Sequence, residues 1–345
     1  MAVPLFSRAS GFGSLFSIVE AEQGAEALQR LRRESGFAAA DYSPSMLVPF
    51  PLMNRVYNLA AKMSGDPQLG ARVGRNFRLE EFGPFLEYAL YGETLGDVIA
   101  RSINAQPLHS NQLSMDLRVV GGQAHWRLRY QTNAEPTVEH HAQMCLMQAL
   151  GTVRRCPGAR KDQIEIHVAE PYAAEARLLE SRLDVRVRPR TNDYELAFPA
   201  HWLGKWMPIV GLPPDLAVEG LAPYRDRPVP RAMAEAVLIA LELHGDLPIG
   251  GIGVIGAEIG LPPRTLQYTL RSEGVSYRDI VRGLRLRRAR QLLATTEKPL
   301  AEVALRTGYT DPSNFHRAFL AQTGMTPGRF RATSRPEAPY RSEHR

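Results

Sequence analysis

Near the C-terminus of this 345-residue chain, Ser313, Asn314, His316 and Arg317 follow the pair Asp311-Pro312. Their side chains suit the edges of nucleobases: arginine can make two hydrogen bonds to guanine, asparagine two to adenine, and a hydroxyl donates or accepts. Phe315 and Phe319 lie four apart, so a helix here buries both on one face and turns Ser313, Asn314, His316, Arg317 and Gln322 to the other. Asp311 is a good N-cap, and Pro312 suits the first helical position, where a missing N–H costs nothing. The first four polar residues then fall in the opening turns, the part of a recognition helix that meets base edges in a major groove.

This stretch has an echo about fifty residues earlier. Gly260, Leu266 and Gly274-Val275-Ser276 correspond to Gly308, Phe315 and Gly324-Met325-Thr326. Each copy reads as helix, tight glycine turn, helix: VIGAEI, GLPP, RTLQYTLRSE, then AEVALR, TGYT, DPSNFHRAFLAQT. Between them the pattern predicts one helix over 276–294, with Tyr277, Ile280, Val281, Leu284, Leu292 and Leu293 on a stripe and Arg282, Arg285, Arg287, Arg288 and Arg290 around it. Such a helix spans roughly 28 Å, close to the roughly 34 Å between successive major-groove entries on one DNA face. From Arg264 to Arg331, 13 Lys and Arg stand against 5 Asp and Glu, a net of +8, whereas residues 1–263 carry 26 against 29. Clustered arginine neutralises phosphates and releases counterions. A solvated charged face has the same composition, so charge alone does not choose between the two.

The elements that must position these groups divide the chain. Residues 220–231, GLAPYRDRPVPR, combine three prolines with charge and predict an extended linker. It separates residues 1–219 from 232–331, and 332–345 read as a flexible tail. After the linker, Met233, Val237, Leu238 and Leu241 predict a helix closed by His244-Gly245. Before it, 45–63 and 138–153 carry helix-period apolar positions, while LSMDLRVV and QAHWRLRYQ alternate around Gly121-Gly122 as a β-hairpin does. Further strands are expected at 163–169, 183–189 and 194–199, with Thr191-Asn192-Asp193 as the turn joining the last two. Apolar content of 44% suffices to bury a core in each part. The longest nearly uncharged apolar run, MLVPFPLM at 46–53, is too short to span a bilayer, and the N-terminus lacks the basic, apolar and cleavage-site order of a secretion signal. Cys145 and Cys156 are too few for a disulfide scaffold or a four-thiolate zinc site. A soluble chain in the reducing cytoplasm, at the nucleoid, is expected.

The C-terminal hundred residues resemble the DNA-binding domain of AraC/XylS-type bacterial transcription regulators. The resemblance rests on RRARQLL at 287–293, Val303-Ala304, Gly308-Tyr309, Asp311-Pro312-Ser313, Phe315, Arg317-Ala318-Phe319, Gly324 and Pro327. It implies that Ser313, Asn314, His316 and Arg317 contact bases or phosphates from the second copy, and Arg264, Thr265, Gln267, Tyr268 and Arg271 from the first. Arg288 and Arg290 are phosphate candidates on the connecting helix. The first copy departs from the family pattern: Gly253 and Gly256 weaken its leading helix, each by up to about 1 kcal/mol, and Tyr268-Thr269 stand where a basic pair is common.

The first 220 residues are similar to the sensor region of the OruR-like branch of that family, through SGDPQLGARVG at 64–74, GETLGDVIARSI at 92–103 and AFPAHWLGKWMP at 197–208. The resemblance implies an α+β N-terminal sensor domain with a small β-barrel, plus an all-α C-terminal domain with two helix-turn-helix motifs at 252–274 and 300–324. It also implies duplex DNA, a small-molecule effector, RNA polymerase and a second copy of the chain as partners, and no membrane. Trp126, Tyr130, Trp202 and Trp206 are candidates for an effector pocket, or for aromatic core. Glu139-His140-His141 with Cys145 is the one group resembling a metal site, but no further Cys or His pair lies near it in sequence. No metal or other cofactor is expected. The chain lacks G-x-S-x-G and P-loop lysine motifs and a cysteine-rich zinc site, so an enzyme is not expected. The expected function is sequence-specific, effector-responsive activation of transcription; the alternatives are an architectural DNA-binding protein without an effector and a DNA-tethered enzyme.

Overall fold

The computed structural model describes residues 3–37, 39, 42–76, 83–131, 138–169, 173–183, 185–191, 193–208, 218–245 and 250–334. Asn192 of the expected turn and residues 335–345 of the expected tail lie outside them. The chain forms two compact units, one built from Val3–Arg231 and the other from Ala232–Ala257 and the residues from Leu261 onward.

In the N-terminal unit, strands β1 (Phe6–Arg8) and β2 (Leu47–Pro49) form a two-stranded sheet. Helices α1 (Leu15–Gln23) and α2 (Ala25–Ser35) lie between them in sequence, and α3 (Phe50–Ser64), α4 (Leu69–Arg75), α5 (Pro84–Leu90) and α6 (Leu95–His109) follow. The helix expected over 45–63 therefore starts later: Pro49 holds an extended backbone with φ −54° and ψ 128°, and Pro51 sits in the first turn, where proline is tolerated. Strands β3 (Leu113–Val120) and β4 (Gln123–Tyr130) form the expected hairpin, with Gly121 and Gly122 at φ 58° and 78° as a two-residue turn requires. Helix α7 (Glu139–Arg154), strand β5 (Glu165–Ala169), helix α8 (Ala173–Leu183), strands β6 (Arg186–Thr191) and β7 (Tyr194–Pro199) and helix α9 (Ala222–Asp226) complete the unit.

Two expectations about this sheet are corrected. Its order is β3-β4-β7-β5-β6, with β5 parallel to β6 and antiparallel to β7, so the last two strands are not hairpin partners. Helix α8 carries the crossover that a parallel β5–β6 pair needs. Nor is the sheet a small β-barrel: among the described residues it is open, with β3 and β6 at its edges. Pro189 deprives β6 of a donor, which suits an edge strand. The 220–231 segment also differs from an extended chain, since Pro223 opens α9 and Leu221 and Tyr224 are buried.

Close backbone contact explains the glycines of the 64–74 segment. A Cβ added at Gly70 would lie 1.9 Å from the carbonyl oxygen of His140, and one at Gly74 would lie 2.4 Å from that of Met144, so α4 meets α7 backbone to backbone. At the start of α6, Thr94 and Asp97 form a reciprocal capping box. The Arg8 side chain, fully buried, donates to the carbonyls of Ser45 (2.8 Å), Leu108 (3.1 Å), Tyr224 (3.0 Å) and Arg227.

The C-terminal unit is helical: α10 (Met233–Leu243), α11 (Ile252–Ile259), α12 (Pro263–Ser272), α13 (Tyr277–Thr295), α14 (Leu300–Arg306), α15 (Pro312–Thr323) and α16 (Pro327–Ser334). Ala289 and Leu293 of α13 pack with Val303, Ala304, Phe315 and Phe319 in one buried cluster. Helix α10 is held at both ends. The Glu273 carboxylate accepts from the N–H groups of Met233 (2.7 Å) and Ala234 (2.8 Å), while Arg288 donates to the Leu241 carbonyl (3.2 Å) and Arg287 pairs with Glu242 (3.3 Å). An anion at the N-terminus and cations at the C-terminus both oppose the helix dipole.

Replacing Gly70 by alanine should destabilise the N-terminal unit by about 1–3 kcal/mol, the cost of forcing packed backbones apart. Gly151→Ala, on α7 with nothing within 4 Å of the added carbon, should stabilise it by up to about 1 kcal/mol. Denaturant unfolding followed by tryptophan fluorescence reads this unit alone, because Trp126, Trp202 and Trp206 all belong to it. Similar midpoints for the two variants would show that α4 and α7 do not touch through their backbones.

Candidate nucleic-acid interface

Helix α15 presents the residues singled out in the sequence. Asp311 caps it by accepting from the Ser313 N–H at 2.8 Å, and Gly324 ends it at φ 70°. Phe315 and Phe319 are each 2% exposed and form a line of tilted and edge-on ring contacts with Tyr309 and Phe330. Ser313, Asn314, His316 and Arg317 are exposed, while Gln322 is half-buried. The Arg317 guanidinium rests against the Asn314 side-chain oxygen. The buried aromatics fix the rotation of the helix about its axis, and with it the face that meets solvent.

Helix α12 repeats this with differences. The turns before the two helices share backbone geometry: Gly260 and Gly308 have φ 81° and 84°, and the N–H groups of Leu261 and Tyr309 return to Gly256 and Ala304 at 2.7 and 2.9 Å. Arg264, Thr265, Gln267, Tyr268 and Arg271 are all exposed, Tyr268 at 74%. Thr269 is buried and its hydroxyl returns to the Thr265 carbonyl, so only one of Tyr268-Thr269 faces outward. No side chain caps α12. Gly256 has a packing reason, since a Cβ there would lie 2.6 Å from the Leu261 oxygen.

On α13, Arg290 is exposed and lies 6.0 Å over the Phe330 ring, whereas Arg288 is half-buried and turned toward α10. Arg285 lies 5.1 Å over Tyr309, bracing the glycine turn before α15.

The aromatic candidates of the N-terminal unit separate. Trp126, 3% exposed, lines a cavity reached by α5, α6, β3 and α7. Tyr130 stands beside that cavity, its hydroxyl 2.9 Å from Nδ1 of His141. Trp202 is buried against Phe198 instead, and Trp206 is 69% exposed. Burial pushes the His141 and His109 imidazoles down to about 3, with the Arg8 charge adding to the effect at His109, and pushes the Cys145 thiol up to about 12. Cys145 Sγ lies 3.7 Å from His141 Nδ1. Among the described residues no group of three or more His, Cys, Asp or Glu could hold a metal ion.

Residues 27–206 match the arabinose-binding domain of AraC transcription regulators, N-terminal, and residues 255–333 match a helix-turn-helix domain. The chain belongs to the AraC family of transcription regulators. It is similar to the ornithine utilization regulator of Pseudomonas aeruginosa, 26% identical over 321 residues that cover 87% of this chain and 90% of the relative. It is also similar to the transcriptional regulator VirS of Mycobacterium tuberculosis, at 24% identity over 90% of this chain and 92% of that one. The crystal structure of the regulator CdpR from Pseudomonas aeruginosa aligns over 92% of this chain and 96% of its own, at 18% identity and a TM-score of 0.39. No helix among the described residues is long and apolar enough to cross a membrane.

This AraC-family regulator carries site features that sequence reasoning passed over. Gln106, His109 and Gln112, three apart at the end of α6 and just beyond it, all line the cavity, as does Gln148 on α7. The signal was there: three polar residues at helical spacing, each ending up buried.

Acidification tests the neutral imidazoles. The unfolded chain protonates His109 and His141 near about pH 6.5, while the folded chain does so only near 3. Between those values the unfolded state binds more protons, so stability falls as pH falls, by up to about 1.4 kcal/mol per pH unit for each imidazole. Urea midpoints of the tryptophan signal should be level above about pH 7 and drop steeply from about 6.5 toward 4.5, less steeply in His109→Gln/His141→Gln. Equal slopes in the two proteins would show that these imidazoles do not stay neutral in the fold.

Proposed function

We propose that this regulator is an effector-responsive, sequence-specific activator that reads two adjacent major-groove segments through α12 and α15, each the second helix of a helix-turn-helix unit. The observation that carries this reading is α15 itself: a capped helix, fixed in rotation by Phe315 and Phe319, with Ser313, Asn314, His316 and Arg317 exposed in its first turns. Arg264, Thr265, Gln267, Tyr268 and Arg271 supply the second reading surface, and Arg290 attracts phosphate. Arg288, engaged with the Leu241 carbonyl, serves first to hold α10. Residues 1–219 bind the effector and join two copies of the chain, 220–231 connect, and 232–331 bind DNA and present a surface to RNA polymerase. Such a protein works in the bacterial cytoplasm, at the nucleoid.

The test uses the full-length chain and its operator, recovered by selection from random duplexes. Arg317→Ala should cost about 1–3 kcal/mol on the operator, relaxing the preference at one base pair, and much less on scrambled DNA. Arg290→Ala should weaken both duplexes alike and reduce the slope of log K against log salt by about one. Equal losses on both duplexes for Arg317→Ala would make α15 a backbone clamp. Affinity independent of salt would remove DNA from the list of partners.

A further inference from the structure

The cavity of the N-terminal unit has a free volume of about 50 Å³, within about 560 Å³ of space that includes its open mouth. Phe85, Leu113 and Met144 supply apolar wall. Four other lining side chains carry buried polar atoms with no hydrogen-bond partner among the described residues: both amide atoms of Gln112, the amide nitrogen of Gln148, Nε1 of Trp126 and Nε2 of His141. Gln112, Trp126 and His141 are at most 3% exposed. Buried polar groups are ordinarily paired, because leaving one unpaired in dry surroundings forfeits its hydration without return. Several such atoms around one cavity mark a place for a partner from outside the chain.

The polarity of these atoms describes the partner. Trp126 and Gln148 donate, and Nε2 of the neutral His141 ring donates or accepts according to the tautomer set by Tyr130 on Nδ1. Acceptors on a ligand would meet at least two donors, and Gln112 can serve either way. No Asp, Glu, Lys or Arg lines the cavity among the described residues, so an ammonium or carboxylate would find no counter-charge in its wall. An adjoining depression, lined by Arg75, Arg154 and Arg155, shares Gln148 with the cavity.

We propose that this cavity is the effector site, and that it takes a small uncharged compound with an apolar body and a carbonyl acceptor, such as an amide, ester, lactone or ketone, in preference to an amino acid or a carboxylate. The proposal rests on the effector-responsive reading above and names the class of ligand for it.

Calorimetric unfolding of the full-length chain tests it with millimolar benzamide, γ-valerolactone and a set of small neutral esters and ketones, against benzoate and L-ornithine. At least one neutral compound should raise the unfolding temperature of the N-terminal unit by several degrees, while benzoate and ornithine leave it unchanged. Gln112→Leu removes two unpaired atoms at similar volume, so it should unfold at or above the wild-type temperature without ligand and lose the rise. A rise that survives Gln112→Leu places the ligand elsewhere, and Arg155→Ala shows whether that is the arginine depression. A rise with benzoate or ornithine that Gln112→Leu abolishes overturns the ligand class, and no rise with any neutral compound overturns the proposal. Operator binding measured in the same samples separates the two readings: retained DNA binding with unresponsive unfolding sinks only the ligand class, and loss of DNA binding sinks the regulator reading.

Discussion

One buried guanidinium ties the N-terminal unit together. Arg8 stands at the end of a three-residue strand, and its planar fork reaches carbonyls 37, 100, 216 and 219 residues away in sequence. Its hydrogen bonds go to backbone carbonyls, and its plane lies 4.6 Å over the Tyr224 ring. Lysine has neither the fork nor the flat face to make this set. Burial lowers its pKa only to about 10, so the charge persists. That charge has a second effect: it opposes protonation of His109, one of the cavity's own residues. The same interaction that closes the fold thus helps keep the cavity neutral.

In the C-terminal unit the corresponding constraint is the long helix α13. The second helix pair and Phe330 pack on its far half, while its Arg287 and Arg288 hold the end of α10, whose start is held by Glu273 just beyond α12. The two helix pairs are therefore connected through one rigid rod and one clamped helix rather than through flexible chain. A rotation of the first pair about α13 would have to break charged hydrogen bonds at an end of α10.

What could be read from sequence followed from how local the determining contacts are. The Gly121-Gly122 hairpin and α13 were legible because their signals, two positive-φ residues between alternating strands and a long apolar stripe, lie within the segments themselves. The order of β5, β6 and β7 was not, since β5 inserts between strands that adjoin in sequence. Strands β1 and β2, three residues each, are too short to show a period. Trp126 was one of four aromatic candidates, yet the groups around it come from α6, α7 and the loop before β3, and only tertiary packing gathers them. For α15 the exposed set matched its spacing, because two phenylalanines four apart determine which way a short capped helix faces.

The paired glycine turns have a consequence for how such a protein changes over generations. Gly260 and Gly308 occupy backbone that other residues adopt only under strain, and a side chain at Gly308 would also press on Arg285. The outward residues of α12 and α15 carry no such burden, and exposed substitutions of that kind usually change stability by no more than about 0.5 kcal/mol. Drift is therefore cheap at these outward positions and expensive at the turn. If those positions read DNA as proposed, a duplicated copy of the gene could acquire new target sequences through a handful of surface changes while its scaffold stayed the same.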